Sequence, residues 1–418
     1  MTAGPEGRQT TFFYGWMIVL AAFIANFMGA GLGFYIFNAF LEPLTRLHGW
    51  TRTDINLGPM LGYIVSVIAG LLYGTIVTRV GARAIMCASS IVTALSFYFL
   101  GVSDNLALFY LFYMLMMMGI GGMNGIVSAT AVNNWFIAKR GRAMGIATAA
   151  ISLSGVILTP AAMLILEAGG LESAFLVISL CIALVAPIVW LLVRNRPEDK
   201  GLHPDGIMPV TAWSRTGREN GHACFQAPSH WTIAMSARSG NFWKIGIAYG
   251  LSMASVLGVM YQLKPRFSDI GFDTGSAVAL MAGTALAGAV GKYAWAHLCD
   301  HFKAKNVAAI LMACNAAGLC LMFAVNSMAT ALAFVIFYGF AMGGVVSTQP
   351  VIIAEFFGRD AYPSIARYVG VIVGIDCIGY PIMGRSFDLS RSYDAAYGIF
   401  ILFNIMAATL LFILKKKG

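Results

Sequence analysis

The chain has 418 residues, of which 59% are hydrophobic and 11% charged, with a mean hydropathy of +0.77. That is too little charge to cover a soluble surface, and apolar segments long enough to cross a bilayer recur, so lipid solvates most of the chain. The net charge of +9 would suit a nucleic-acid partner, but its placement marks membrane topology instead, and no nucleic-acid binding is expected.

The first apolar run, 12–41, is too long for a signal-peptide core and ends without a small-residue cleavage pattern. Hydropathy then predicts twelve membrane helices, near 14–42, 56–78, 84–102, 108–132, 143–168, 174–193, 243–264, 277–299, 307–325, 330–354, 365–386 and 395–414. Turn residues separate them, such as "SDN" at 103–105, "EAGGLES" at 167–173 and "NS" at 326–327. The one long polar stretch, 194–240, splits the spans six and six. The expected organisation is a six-helix bundle over 1–193, a central loop over 194–240 and a second six-helix bundle over 241–418. With both termini inside, 20 of the 27 Lys and Arg residues fall on the inner side, six on the outer, and Lys292 within a span. That excess fixes both termini in the cytoplasm by the positive-inside rule. Lys139, Arg140 and Arg142 in "VNNWFIAKRGRAMG" (132–145) then form an inner loop held against anionic lipid.

The halves repeat. At an offset of 222 residues Leu41 meets Leu263, Pro43 meets Pro265, Gly49 meets Gly271, Arg83 meets Lys305, and Gly121–Gly122 meets Gly343–Gly344. A duplicated six-helix unit points to a transporter whose substrate lies near the bilayer midplane. The expected fold is therefore an all-α membrane protein of twelve transmembrane helices in two pseudo-symmetric six-helix bundles. Six of the seven cysteines lie in apolar segments and read as small buried hydrophobes. His222, Cys224 and His230 match no zinc spacing. No phosphate loop of the Walker type and no catalytic triad is present, so neither a cofactor, a metal nor an enzymatic activity is expected.

Five stretches carry a resemblance. "GLLYGTIVTRVGAR" (70–83) resembles the loop motif of the major facilitator superfamily, with Gly74 for close helix approach, Arg79, Gly81 and Arg83 in the turn, and Thr78 where the motif usually has an acid. Its duplicate "KYAWAHLCDHFKAK" (292–305) keeps an acid, Asp300. "FYGW" (13–16) with "NWFIAKRGRAMGIATAAISLSG" (134–155) resembles the signature pair of the monocarboxylate transporters, and "RNRPEDKGLHPDG" (194–206) is similar to their bacterial relatives, the oxalate/formate exchangers among them. The resemblance implies alternating-access transport of small organic anions such as lactate or pyruvate, often with a proton, in a bacterial inner membrane. Animal monocarboxylate transporters carry an Asp–Arg pair on the eighth span where this chain has Gly288 and Lys292, and a first-span lysine where it has Phe34 or Tyr35.

Two ionisable residues fall well inside spans, Lys292 on the eighth and Asp376 on the eleventh. Each costs about 2.5–3.5 kcal/mol to insert at a helix centre. Lys292 reads as an anion ligand, as a salt-bridge partner of Asp376, or as a snorkelling cation. Asp376 reads as a proton carrier, a switchable partner of Lys292, or a hydrogen-bonded structural acid. Asn26, Tyr35, Asn124, Ser255, Tyr338 and Tyr380 are neutral polar groups expected in the bundle interior, as ligands or as helix–helix hydrogen bonds. The sum is a monomeric secondary transporter whose partners are a small monocarboxylate, a proton and membrane lipid, with anion exchange as the second reading and a non-transporting receptor as the third.

Overall fold

The structure is a computed structural model that describes residues 13–36, 40, 43–44, 47–50, 52–206, 231–390 and 392–415. Among the described residues, eleven helical stretches are long and apolar enough to cross a membrane. The longest, Arg140–Leu192, is broken at Gly170, where φ is 74° and ψ is -177°, and supplies two spans. The twelve spans are α1 (Gly15–Ala30), α2 (Arg52–Val80), α3 (Ala82–Val102), α4 (Leu106–Trp135), α5 and α6 (140–169 and 171–192), α7 (Gly240–Ile270), α8 (Thr274–His301), α9 (Ala304–Met322), α10 (Met328–Phe357), α11 (Tyr362–Phe387) and α12 (Asp394–Phe412). Local chemistry sets several ends. Asn105 Oδ1 accepts from Ala107 N at 2.8 Å at the start of α4, and Asp273 Oδ2 accepts from Ser276 N at 3.0 Å at the start of α8. Such caps satisfy N–H groups that the helix leaves open.

Three spans expected to be continuous are not. A π-helical turn, Gly31–Ile36, continues α1. α4 breaks at Asn124, which is extended, and Gly125, where φ is 56°. α11 tightens into a 3-10 segment at Gly374–Ile378. Irregular backbone at membrane depth is tolerated where it is buried in protein or lines a cavity. The cysteines also divide differently from expectation: Cys87 is buried, but Cys181, Cys320 and Cys377 are exposed. They share the outer surface with Leu164, Leu191, Ile336 and Leu402, which an apolar solvent accommodates without cost.

Helices pack by backbone approach. A Cβ on Gly291 of α8 would fall on the Phe340 carbonyl of α10, and one on Gly343 of α10 would fall on the Gly288 carbonyl of α8. This is the small-residue packing that membrane helices use when hydrophobicity cannot draw them together. Between the halves, α5 packs along α8 and α2 along α11, giving two seams. The run of small residues opening α5 serves the first seam. A Cβ on Gly141 would fall on the Ala296 carbonyl, and one on Gly145 would lie 2.8 Å from Tyr293 Cα.

The Lys- and Arg-rich end is latched. Asp300, at the end of α8, accepts from Gly141 N at 2.6 Å and from Arg142 N at 2.8 Å. It caps the first turn of α5 from the opposite half, where a carboxylate also meets the positive end of the helix dipole. Arg359 donates to Asn134 O at 3.3 Å and to Glu198 Oε1 at 2.8 Å. The start of the expected central loop is not a free linker. Arg194 O accepts from Trp135 Nε1 at 2.9 Å, Asn195 Oδ1 from Arg83 N at 3.0 Å, and the Asp205 carboxylate from the N–H groups of Ile137, Ala138 and Lys139 at 2.8, 2.7 and 3.2 Å. Burial pushes the Glu198 carboxyl up, but its hydrogen bond to Arg359 and the surrounding positive charge hold it below the usual range. Among the described residues, hydrogen bonds between the halves occur at this end and at mid-membrane.

Gly291→Ala should destabilise the folded protein by about 1–3 kcal/mol, as overpacking does, read as a lower unfolding temperature in detergent; an unchanged value would mean that α8 and α10 do not approach as described. Asp300→Ala removes two charge-assisted hydrogen bonds, each worth about 1.5–3 kcal/mol, from the closed basic end. Spin labels at Lys139 and Lys303, both exposed and in opposite halves, should then report a new population at longer distance; an unchanged distance distribution would remove Asp300 from the latch.

Candidate functional site

Lys292 stands nine residues before the end of α8, about 14 Å along the helix at ~1.5 Å per residue. That is near the middle of a hydrocarbon layer roughly 30 Å thick. It is 5% exposed, and its Nζ donates to Ser152 Oγ of α5 at 2.6 Å. An ammonium has three donors. No further acceptor and no carboxylate among the described residues engages it. Ser152 is itself 4% exposed. The contact exists because α5 presses against α8 through Gly145, where a side chain would meet Tyr293 and the Lys292 carbonyl. One turn earlier on α8, a Cβ on Gly288 would lie 3.7 Å from Ser152 Oγ and 3.2 Å from Met342 Cε. An acid there would stand beside the ammonium as a built-in counter-ion. The glycine leaves that place without a side chain.

Asp376 lies in the 3-10 segment of α11 and is 8% exposed. Its Oδ1 accepts from Tyr63 OH of α2 at 3.1 Å. The two ionisable residues thus do not pair with each other. Lys292 bridges the α5/α8 seam and Asp376 the α2/α11 seam, and in each the partner belongs to the other half. Close packing of α11 on α7 supports the irregular segment. A Cβ on Gly250 would meet Ile375 Cγ1 at 2.6 Å, and one on Gly379 would fall on the Ala254 carbonyl. A 3-10 turn within a long helix is a common place for a hinge or a functional group.

The neutral candidates scatter. Asn26 donates to Ala147 O at 2.9 Å and accepts from Ser128 Oγ at 3.3 Å, tying α1 to α5 and α4. Ser255 donates to Ser252 O at 2.6 Å and accepts from Asn404 Nδ2 at 2.8 Å, while Ser252 donates to Asn404 Oδ1 at 2.8 Å. Both side chains are spent on helix packing, as buried polar groups in lipid must be. Tyr338 is fully buried, stacks on Phe334 at 5.0 Å, and has no partner for its hydroxyl among the described residues. It sits in an aromatic cluster with Phe267, Phe400 and Tyr397, away from both seams. Asn124 stays at mid-membrane, at the break in α4. Oriented so that both its groups are satisfied, its amide donates to Ala25 O at 2.9 Å and accepts from Ala30 N at 3.3 Å, joining the break to the end of α1. Tyr35 falls on the π-helical turn and Tyr380 follows the 3-10 segment, but their side chains lie outside the described residues. So do His222, Cys224 and His230. Among the described residues no group of three or more His, Cys, Asp or Glu could hold a metal.

The sequence reading missed Ser152 and Tyr63. Ser152 is one small residue in a run of small residues; only its place opposite Lys292 makes it a partner. Tyr63 would have been found by asking which hydroxyl on α2 could reach the only mid-span acid on α11.

The model of the Major Facilitator Superfamily matches residues 22–384. The oxalate:formate antiporter of Oxalobacter formigenes is 22% identical over 263 residues, covering 61% of this chain and 61% of the antiporter. Monocarboxylate transporter 13 of Bos taurus is 23% identical over 403 residues, covering 93% of this chain and 87% of the transporter. The crystal structure of a human organic anion transporter superposes with a TM-score of 0.70 at 17% identity, covering 95% of this chain and 99% of that one. With twelve spans in two six-helix halves meeting along two seams, and a family match over most of its length, the chain belongs to the major facilitator superfamily of membrane transporters.

Proposed function

We propose that the protein carries a small monocarboxylate, of the size of lactate or pyruvate, across the cell membrane together with a proton. The observation that carries this reading is Lys292, a mid-membrane ammonium held by one hydroxyl and facing no carboxylate among the described residues. A substrate carboxylate would accept the donors that Ser152 leaves over, forming charge-assisted hydrogen bonds in a low-dielectric site. One cation suits one negative charge. The names of two relatives, a monocarboxylate transporter and an oxalate:formate antiporter, agree with a small carboxylate and differ on coupling.

Asp376 is the second participant. It is the acid at mid-membrane depth that the Lys292 site does not use, and its hydrogen bond to Tyr63 crosses the other seam. A proton gained or lost there changes what that seam holds. With both termini in the cytoplasm, the latched basic end is the inner end, and this conformation loads substrate from outside. Rocking then requires Asp300 to leave the first turn of α5 and Arg359 to leave Asn134 and Glu198. Anion exchange is the second reading, favoured by the absence of an acid at Gly288 beside Lys292. Accumulation of labelled lactate in proteoliposomes, driven by an acid exterior, tests the first reading. Lactate movement that needs lactate on the far side and ignores the pH gradient would favour exchange. No movement of any monocarboxylate would overturn both.

Lys292→Ala should abolish substrate binding, while Lys292→Arg should retain part of it because charge outweighs shape for a small carboxylate; normal affinity in correctly inserted Lys292→Ala would remove Lys292 from the site. Asp376→Asn should impair pH-driven uptake more than exchange of substrate for substrate, since net symport must reset an empty, deprotonated site and exchange need not. An equal loss of both modes would make Asp376 structural.

A further inference from the structure

A polar cavity lies away from the seams' mid-membrane groups. It has a volume of about 290 Å³ and sits at the basic end, beside the turn between α2 and α3. All three parts of the chain line it: Arg79 and Asn134 from the first half, Asn195 and Arg196 from the segment after α6, Arg359 and Pro363 from the second half. Arg79 is the telling residue. The loop motif normally places an acid just before it, and this chain has Thr78, whose hydroxyl is turned onto Thr75 O at 2.7 Å. The Arg79 guanidinium therefore has no hydrogen bond or ion pair with any described residue. Arg196 is exposed and forms no ion pair with a described residue; Glu198 nearby is bonded to Arg359 at 2.8 Å. Two acids also line the cavity, and both are engaged. Asp199 Oδ2 accepts from the Arg196 N–H at 3.1 Å, and Asp360 lies 3.9 Å from Arg359 Nε. Next to the cavity, α2 and α11 present exposed Ile76, Val80, Tyr368 and Val371, a flank suited to acyl chains at the depth where headgroups begin.

We infer that this cavity binds a phosphate-bearing anion, with Arg79 and Arg196 as its ligands. Guanidinium groups match phosphate oxygens in pairs. Basic pockets at the inner ends of membrane helices are favourable places for anionic headgroups. Because both halves contribute to the lining, the anion binds the conformation closed at the basic end better than one in which the halves have parted there. By linkage it stabilises that conformation. The inference is independent of which substrate Lys292 takes.

The shared chemistry has two sources, an anionic phospholipid and a soluble phosphate. The full-length protein would be purified from bilayers of phosphatidylcholine with and without phosphatidylglycerol, and retained lipid counted by native mass spectrometry. A parallel arm would follow the unfolding temperature with added inorganic phosphate. The wild type should retain phosphatidylglycerol over phosphatidylcholine, or gain stability with phosphate, and whichever responds names the source. Arg79→Gln with Arg196→Gln should weaken that response about tenfold or more. Thr78→Asp, which supplies Arg79 with an internal acid, should weaken it as well. Arg194→Gln is the control, since that guanidinium is turned onto Trp190 O and Val193 O at 3.2 and 3.0 Å. The inference is overturned if neither anion distinguishes the wild type from the double variant, or if Arg194→Gln loses as much as the double variant does.

Discussion

Lys292 brings three N–H donors to mid-membrane, and among the described residues the fold supplies one acceptor, Ser152 Oγ at 2.6 Å. Much of the surrounding architecture follows from that shortfall. Placing an ammonium at the centre of a span costs about 2.5–3.5 kcal/mol, and a single hydrogen bond to a charged group returns about 1.5–3. On the proposed reading, the remaining donors make the site poorly satisfied while empty and well satisfied when a carboxylate arrives. The neighbours keep it so. Gly145 lets α5 approach the Lys292 carbonyl, Gly291 seats α8 on α10, and Gly288 withholds the side chain that could have neutralised the charge from within. A site completed by its own protein would bind substrate weakly. One left short of a counter-ion selects for an anion.

The two seams divide the work of a carrier. In the α5/α8 seam an ammonium of one half meets a hydroxyl of the other; in the α2/α11 seam a carboxylate of one half meets a phenol of the other. Both bonds cross the boundary along which the halves must move. On the proposed reading their strength depends on what is bound, a carboxylate in the first case and a proton in the second. The basic end adds contacts that are independent of substrate, the trans cap of α5 by Asp300 and the Arg359 bonds to Asn134 and Glu198. A conformational change can be biased only by interactions that differ between the two states. These crossing bonds are where such differences can arise.

Much of the fold was legible because the bilayer imposes a length and a polarity on every span. The sequence reading found twelve spans, and it placed turns at Asn105, near Gly170 and at Ser327, where residues suited to caps and to positive φ interrupt apolar runs. Lys292 and Asp376 stood out because charge is rare at that depth. Their partners were not legible. Hydropathy says how deep a residue lies but not which helix it faces, so a lysine and an aspartate that both lie well inside spans read as a possible pair although they occupy different seams. Asn26 and Ser255 read either as ligands or as helix–helix hydrogen bonds for the same reason: a polar group inside a span is visible, and the acceptor that satisfies it is not. Asp300 and Asp205 bond to backbone N–H groups, which leave no mark in the sequence. The breaks at Asn124–Gly125 and Gly374–Ile378 were masked by apolar flanks that read as continuous helix.

The central claim is that the Lys292 ammonium receives the substrate carboxylate at the α5/α8 seam. An experimental structure of the protein with lactate bound tests it most directly. The account predicts a carboxylate oxygen within hydrogen-bond distance of Lys292 Nζ, beside Ser152 and in the space left by Gly288. A carboxylate bound elsewhere, with Lys292 still held by Ser152 alone, would contradict it.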